Sequence, residues 1–248
     1  MIQFITDAGI DEPGLDTGIS HAIVRAVGDG RLGETFRIHR TSRIVAFGRH
    51  DRVSPGYREA VALARDQGYL PIERLAGGRA AVFHEDTLAF SWAIPSEQPR
   101  AEITERFVSV SQLLAGAFGD LGMPAAVGKL EGEYCPGAYS VHVGTGKVMG
   151  VGQRLVRGAA HVGGVIVVDG GRRIPHVLSP IYRALGLSWD PRTSGDLADH
   201  LPGVTMDAVA HAVRSRLADQ HQIRDVGLPG WIIDRGRTLA AGHIAPAA

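Results

Sequence analysis

A single thiol and a scarce amine stand twelve positions apart near the middle of the chain. Cys135 is the only cysteine, and Lys147 is one of two lysines, the other being Lys129, among 26 basic residues. Both fall within Glu131–Val168, EGEYCPGAYSVHVGTGKVMGVGQRLVRGAAHVGGVIVV. The nucleophile a cysteine offers is the thiolate, and a free thiol with a pKa near ~8.5 supplies little of it at neutral pH. A lysine ammonium about 4 Å away would favour the thiolate by up to about 4 kcal/mol at an effective dielectric of about 20. Its flexible stem can also carry the amine to a reacting carbonyl. The pair points to acyl chemistry. Each residue also has a plainer reading: Cys135 as a buried structural thiol, Lys147 as a solvated strand residue beside a turn.

A second candidate stretch is ERLAGGRAAVFHE, Glu73–Glu85. Consecutive glycines at Gly77 and Gly78 after a strand permit positive φ and close backbone approach, leaving amide N–H groups to meet a ligand. Arg74 and Arg79 flank this turn and can pair with a phosphate or a carboxylate. They read equally well as solvated arginines at strand ends. His84 either lines the same site or sits on a surface hairpin. Other chemistries lack their signatures. Gly146-Lys147 has neither the earlier glycine nor the following Ser/Thr of a P-loop, and HExxH, paired-cysteine and GxSxG motifs are missing. The eleven histidines show no ligand spacing, so no metal is expected.

The elements that must hold these groups follow from residue patterns. Leu15–Val27 presents Ile19, Ala22, Ile23 and Ala26 on one helical face, and Gly28–Gly33 ends it. Glu34–Arg40 and Arg43–Gly48 read as short strands, Gly48-Arg49-His50 as a loop, and Pro55–Gln67 as a helix stopped by Gly68. Ile72–Leu75 is a strand, and Ala80–Phe83 with Thr87–Ile94 a β-hairpin. Glu102–Leu121 is the longest helix. Cys135 sits at the Pro136-Gly137 bend, followed by a strand over Tyr139–Val143, a Gly144-Thr145-Gly146 turn, a returning strand Lys147–Val156 and an apolar strand Ala159–Val168. Helices are expected over Val177–Leu185, Thr193–Leu201 and Thr205–Gln220, the last capped by Thr205. Gly236–Ala248 lacks periodicity and is expected to be mobile. The sum is a single mixed α/β domain, a sheet flanked by helices. Residues 1–170 form its catalytic part and 171–248 a helical C-terminal extension of the same domain.

With 44% hydrophobic residues in 248, the chain can build one substantial core. A formal charge of +0 gives no electrostatic footprint for nucleic acid or a membrane surface. One cysteine excludes an internal disulfide framework, and a reducing cytoplasm is the expected location. The start, MIQFITDAGIDEP, has no charged segment and long apolar core of a signal peptide. No apolar run approaches the roughly 20 residues of a membrane helix.

Three stretches in order, RIVAFGRH (Arg43–His50), RLAGGRAAVFHEDTLAF (Arg74–Phe90) and YCPGAYSVHVGTGKVMGVGQRLVRG (Tyr134–Gly158), resemble the lipoate/octanoate branch of the biotin/lipoate protein ligase superfamily. The resemblance runs from the first helix to about Asp169 and implies that family's mixed α/β domain. In it the Gly-rich segment closes over the acyl group, and the lysine matching Lys147 contacts the acyl carbonyl. Tyr134-Cys135-Pro136-Gly137, Lys147 and Gly150-Val151-Gly152-Gln153-Arg154 look most like the cysteine-dependent octanoyl/lipoyl amidotransferases. This implies catalytic roles for Cys135 and Lys147, and substrate binding by Arg74, Gly77, Gly78, Arg79, His84, Gly150 and Gln153. It also implies octanoyl or lipoyl groups, moved to lysines of lipoyl-domain proteins: the glycine-cleavage H protein and the acyltransferase subunits of 2-oxo-acid dehydrogenases. The transferase would need no cofactor. The alternatives are a lipoate–protein ligase using ATP and Mg through a lipoyl-AMP intermediate, and a non-catalytic relative that binds acyl groups or lipoyl domains. Two positions depart from the family pattern: Ala76 where serine is usual, and His84-Glu85-Asp86 in place of an acidic-Gly stretch.

Overall fold

The computed structural model describes residues 1–10 and 12–246. Its chain order is β1 (Ile2–Asp7), α1 (Leu15–Gly28), β2 (Thr35–Arg40), β3 (Ile44–Phe47), α2 (Arg49–Arg52), α3 (Tyr57–Asp66), β4 (Leu70–Glu73), β5 (Ala81–Phe83) and β6 (Thr87–Pro95). Then come α4 (Ile103–Asp120), β7 (Ala125–Val127), β8 (Val141–Val143), β9 (Gly146–Val156), β10 (Ala159–Val167), α5 (Arg173–Ala184), α6 (Met206–Gln220), β11 (Ile223–Asp225) and α7 (Gly230–Ala240). An eight-stranded sheet runs β11-β1-β2-β6-β10-β9-β8-β7, and a three-stranded sheet runs β4-β3-β5. Pairing is parallel for β1 with β2 and β11 and for β3 with β4, and antiparallel elsewhere. The expected mixed α/β fold is therefore present. No helix among the described residues is long and apolar enough to cross a membrane.

Side-chain alternation explains how the layers stack. Along β6, Leu88, Phe90 and Trp92 point to one face, where they join Phe36, Ile38, Val162 and Ile166 in a core closed by α4 and α6. The opposite face carries small residues, Ala89, Ser91 and Ala93. Where Ala93 of β6 meets Ala159 of β10, that thin face is covered by α1 and α7, through Leu15, Ile19, Ile23 and Ile232. The small sheet repeats the pattern: Val45 and Phe47 of β3 pack with α3 and α5, while Ile44 and Ala46 face the other way with Ile72. The thin face of the large sheet and this second face of the small sheet enclose a cavity.

Several expectations require correction. Ala80–Phe83 and Thr87–Ile94 do not form a hairpin: β5 pairs with β3 in the small sheet, and β6 pairs with β2 and β10 in the large one. Thr87 makes the turn between them, its N–H donating to the carbonyl of His84 at 2.9 Å and its hydroxyl to the same oxygen at 2.8 Å. The short connection therefore changes sheets. Gly48-Arg49-His50 opens α2 rather than a loop, because Asp51 Oδ2 accepts the Gly48 N–H at 2.9 Å. Thr193–Leu201 is not an α-helix; only a 3-10 turn at Pro191–Thr193 forms. Beyond it, Gly195 donates to the Lys147 carbonyl at 3.2 Å and packs on Gly146. Gly236–Pro246 is ordered, through α7 and a 3-10 turn at Ala241–His243, with Ile244 bridged to Ile72. Residues 247–248 of that expectation lie outside the described residues. The Thr205 cap stands, its hydroxyl accepting the Ala208 N–H at 3.1 Å.

Candidate active site

Cys135 lies in the loop between β7 and β8 with φ 42°, the left-handed region that an L side chain rarely adopts. Such a conformation costs on the order of 1–3 kcal/mol and persists only where surrounding contacts impose it. Here both flanking peptide groups are held. The Cys135 N–H donates to Tyr182 Oη at 2.8 Å, and Tyr182, on α5, in turn donates to the Ala80 carbonyl at 3.0 Å. On the other side, Lys147 Nζ donates to the carbonyls of Tyr134 and Cys135, both at 2.9 Å.

The sulfur accepts two hydrogen bonds at 3.2 Å, one from Arg74 Nη2 and one from the backbone N–H of Arg79. These come from the two sides of the Gly77-Gly78 turn. Gly78 has φ 106°, and a Cβ there would lie 2.9 Å from Cys135 Sγ and inside the Arg74 guanidinium. Glycine is thus required by both backbone and space. Burial pushes the Cys135 thiol up, but the positive charge of Arg74, then that of Lys147, and the two hydrogen bonds more than offset it. The thiol ends below its ordinary range.

Lys147 is buried, with 1% exposure, which overturns its reading as a solvated strand residue. Burial pulls its pKa down against the opposing charges of Cys135 and Glu133. Two carbonyls each accept an ammonium proton, and Glu133 Oε2 lies 3.3 Å from Nζ as an ion-pair partner. Glu133 is buried too, and its other oxygen accepts from the Gly137 N–H at 2.8 Å and Ser140 Oγ at 3.0 Å. The direct partner of the sulfur is therefore Arg74, and Lys147 grips the backbone on either side of Tyr134-Cys135.

Other expected residues fall at defined places. Gly150 faces the Lys147 stem, where a Cβ would lie 3.4 Å from Cε. Gln153 lines a groove of about 430 Å³ beside Cys135, whose apolar walls include Ile103, Phe107, Val151 and Leu155. Its carboxamide is committed to Arg106 Nε at 3.0 Å and the Ile103 carbonyl at 2.7 Å. Arg79 presents its N–H to the sulfur, while its guanidinium reaches Asp51 at 3.4 Å. His84 is not brought to the thiol. It is fully buried, neither a solvated hairpin residue nor a lining residue of this groove, and its Nδ1 accepts the Asp86 N–H at 3.3 Å. Sequence reasoning missed Glu133, Tyr182 and Asp51. Glu133, two residues before the cysteine, was the one with a local signal. Asp7, Asp16 and His39 come within metal-ligand spacing, yet the Arg37 guanidinium already bridges the two carboxylates at 2.7–2.8 Å.

Against this geometry, the lipoyl protein ligase A/B catalytic domain matches residues 14–218. The chain belongs to that family. An octanoyl-[GcvH]:protein N-octanoyltransferase of Geobacillus kaustophilus is 30% identical over 152 residues, 61% of this chain and 54% of the relative. A lipoyl-[GcvH]:protein N-lipoyltransferase of Listeria monocytogenes is 26% identical over 148 residues, 60% and 53% of the two chains. The chain spans about half the length of these curated relatives. Among solved structures, a lipoate-protein ligase A bound with ATP shares the fold at TM-score 0.76 and 18% identity, covering 97% of this chain and 93% of that one. The archaeal bi-partite lipoate protein ligase of Thermoplasma acidophilum does so at 0.74 and 17%, covering 96% and 91%. In this member of the family Arg74, Arg79 and Lys147 are engaged by Cys135, Asp51 and Glu133 respectively. Arg74 Nε is buried without a hydrogen-bond partner among the described residues, so this guanidinium keeps one donor for a further acceptor.

Proposed function

We propose that the chain is a cysteine-dependent octanoyl/lipoyl transferase that moves an acyl group through a thioester on Cys135 to lysines of lipoyl domains. The observation that carries this reading is the Cys135 sulfur, held at a strained backbone position and receiving two N–H donors, with its pKa lowered. Strain of this kind concentrates at functional sites, and a depressed thiol pKa is what a nucleophile requires. A ligase that releases AMP has no step for such a thiol. In the proposed reaction the thiolate attacks the carbonyl of an acyl-lysine on the donor, forming a tetrahedral adduct. The C–N bond breaks, the lysine amine leaves with a proton, and an acyl-thioester remains. The amine of the acceptor lysine then attacks this thioester, a new amide forms, and the thiolate is released. One amide replaces another, so no ATP or Mg is consumed.

In this reading Arg74 and the Arg79 N–H stabilise the thiolate, and Gly77 and Gly78 supply backbone close to the reacting carbonyl. Lys147 would have to exchange one of its present acceptors to meet that carbonyl. Gly150 leaves room for its stem, and Gln153 closes the groove. The names of the relatives support GcvH as acyl donor and a protein as acceptor, while 2-oxo-acid dehydrogenase subunits as acceptors and a cytoplasmic setting rest on the sequence resemblance and the single cysteine. Residues 1–170 carry the thiol and its cations, and 171–248, an extension of the same domain, adds Tyr182 behind the Cys135 N–H.

Octanoyl-H protein alone should leave an octanoyl adduct on Cys135, seen by intact mass and removed by hydroxylamine. Cys135→Ser should lose at least about a thousandfold in transfer to an apo lipoyl domain, because an alcohol is a far poorer nucleophile at neutral pH. Unchanged transfer by Cys135→Ser, or transfer that requires ATP, would overturn the reading.

A further inference from the structure

The groove beside Cys135 is a different space from the cavity between the two sheets, with which it shares no lining residue. Gly77, Pro136 and Ala138 in its walls are exposed, so it opens to the surface. Val151, Gln153 and Leu155 alternate along β9 on one side of it, a run of about 13 Å at about 3.3 Å per residue. Ile103 and Phe107 of α4, one helical turn apart, add apolar surface. The Phe107 ring lies parallel to that of Tyr139, with centroids 4.9 Å apart. The groove therefore has length for a four-carbon stem and for part of the chain that carries it.

Among the described residues, no acidic or basic side chain lines this groove apart from the Cys135 thiol and the Tyr139 phenol. Ser140 and Gln153 are bonded away from it, to Glu133, Arg106 and the Ile103 carbonyl. Behind its walls stand four cations, Arg74, Arg79, Lys147 and Arg106, and three carboxylates, Asp51, Glu133 and Glu102. Lys129 and Glu131, exposed on the Cys135 loop, offset each other. Tyr134 and Tyr182, which flank the thiol, are pushed up by burial and stay neutral. The Cys135 thiolate balances the fourth cation, and acylation removes that negative charge, leaving one positive charge in excess. An ammonium entering the acylated site would lose water against apolar walls, meet no carboxylate and face net positive charge. All three effects disfavour the charged form. A free lysine titrates near ~10.4, so at pH 7 only about one amine in 2,500 is neutral.

We infer that this groove is the entry for the acceptor amine and admits it in the neutral form, on an aliphatic stem, while excluding the ammonium. This rests on the acyl-transfer reading of the site and adds to it the protonation state in which the second substrate binds. The ammonium gives its proton to solvent before entry. The neutral nitrogen attacks the thioester carbonyl, the C–N bond forms and the C–S bond breaks. Sulfur leaves with the electron pair as thiolate, and one proton of the attacking nitrogen departs to solvent. The restored thiolate cancels the surplus positive charge. Exclusion is therefore strongest in the state that holds an acyl group to transfer.

The test uses the full chain acylated on Cys135 by octanoyl-N-acetylcysteamine, with pentylamine as the probe and single-turnover loss of the adduct read by intact mass. Between pH 7 and 9 the half-saturating concentration of total amine should fall about tenfold per pH unit, because only the neutral fraction binds. The saturated rate should stay flat over the same range. Val151→Glu puts a carboxylate in the groove and should reverse the pattern, with constant half-saturation and a saturated rate that falls about tenfold for each unit of acidification. Val151→Gln should keep the wild-type pattern, and Phe107→Glu replaces Val151→Glu if that variant does not fold. If no octanoyl adduct forms, the transferase reading fails. In that case, or where pentylamine does not react, the groove is read by ligand-observed NMR on Cys135→Ser, uncharged at that position like the thioester. There 1-pentanol should bind at least about tenfold tighter than pentylammonium at pH 7. Equal or tighter binding of pentylammonium, or a wild-type half-saturation that does not change with pH, overturns the inference.

Discussion

The two faces of the eight-stranded sheet use the same strands in opposite ways. On one, Leu88, Phe90 and Trp92 of β6 meet Phe36, Leu114 and Phe118 in close packing; on the other, Ala89, Ser91 and the glycines of β9 and β10 leave space. Alternation makes this possible, since each strand contributes to both layers. The crowded face buries large apolar area, at about 25 cal/mol per Å². The sparse face gives up that stabilisation and holds instead a cavity, a row of polar groups (Ser91, His161 and His39) and, at its rim, the thiol. Stability and chemistry should therefore be separable by substitution.

The largest expected effect lies on the crowded face. Phe36 is fully buried, stacked on Phe4 at 5.6 Å and edge-on to Trp92 at 5.7 Å. Phe36→Ala should cost about 3–5 kcal/mol, measured by urea unfolding. The iodoacetamide reactivity of Cys135 in the folded protein should not change. An altered thiol reactivity at unchanged fold would show that the two faces are coupled.

On the sparse face the expected cost depends on pH. His161 is held at about 4 by burial and then by the charge of His21, whereas an unfolded histidine titrates near 6.5. Between these values the unfolded chain binds a proton that the folded chain refuses. The contribution of this residue is therefore whole above pH 6.5 and is lost as pH falls towards 4, at most roughly 3 kcal/mol. His161→Phe should flatten the decline in urea midpoint between pH 6.5 and 4.5. His21, also held at about 4 by burial first, would keep part of the slope. An unchanged slope would mean that the buried imidazole is protonated or relieved by motion.

What the sequence made legible divides along the same line. Periodicity located α1, α4, β9 and β10, whose patterns answer to one local environment. Cys135, Lys147, Arg74 and the paired glycines were legible as a candidate cluster, which the fold brings together, because their residue types are scarce or their turn is distinctive. The β5–β6 connection was misread because adjacency favours a hairpin, whereas the partners of both strands lie far along the chain. The helix at Gly230–Ala240 was missed because Gly236 serves contact rather than pattern: it packs on Ile19, where a Cβ would approach to 2.8 Å. Tyr182 bonds Cys135 across 47 positions of the chain, and Glu133 meets Lys147 and Gly137, contacts that spacing does not encode. The polar row on the thin face emerges only once the registers of four strands are known.

A third substitution asks how firmly the rim holds the thiol. Tyr182→Phe would leave the Cys135 N–H and the Ala80 carbonyl without the hydroxyl that now joins them. Loss of a buried hydrogen-bond partner costs about 1–3 kcal/mol, and about 2 kcal/mol is expected here. Because the hydroxyl also holds the left-handed φ of Cys135, alkylation at pH 7 should slow in proportion more than stability falls. A stability loss with unchanged alkylation would assign Tyr182 to packing alone.

The smallest effect separates the two cations near the sulfur. Arg74 bonds Sγ directly, whereas Lys147 acts on it through space while gripping two carbonyls. Arg74→Met keeps an apolar stem of similar reach and removes the charge and the hydrogen bond. The pH midpoint of Cys135 alkylation should move up towards the ordinary thiol range, because burial then acts against a weaker field. A hydrogen bond to a charged group is worth about 1.5–3 kcal/mol, and partial exposure of Arg74 puts the effect near the lower end, about tenfold in rate at pH 7. The sign follows from linkage: a lowered thiol pKa means the thiolate persists to lower pH, so its loss shows first at neutral pH and vanishes once both proteins are fully ionised. Rates for Arg74→Met and wild type should therefore converge in alkaline buffer. If they stay apart by a constant factor at every pH, Arg74 shapes access to the sulfur and does not set its ionisation, and Lys147 alone would carry the thiolate.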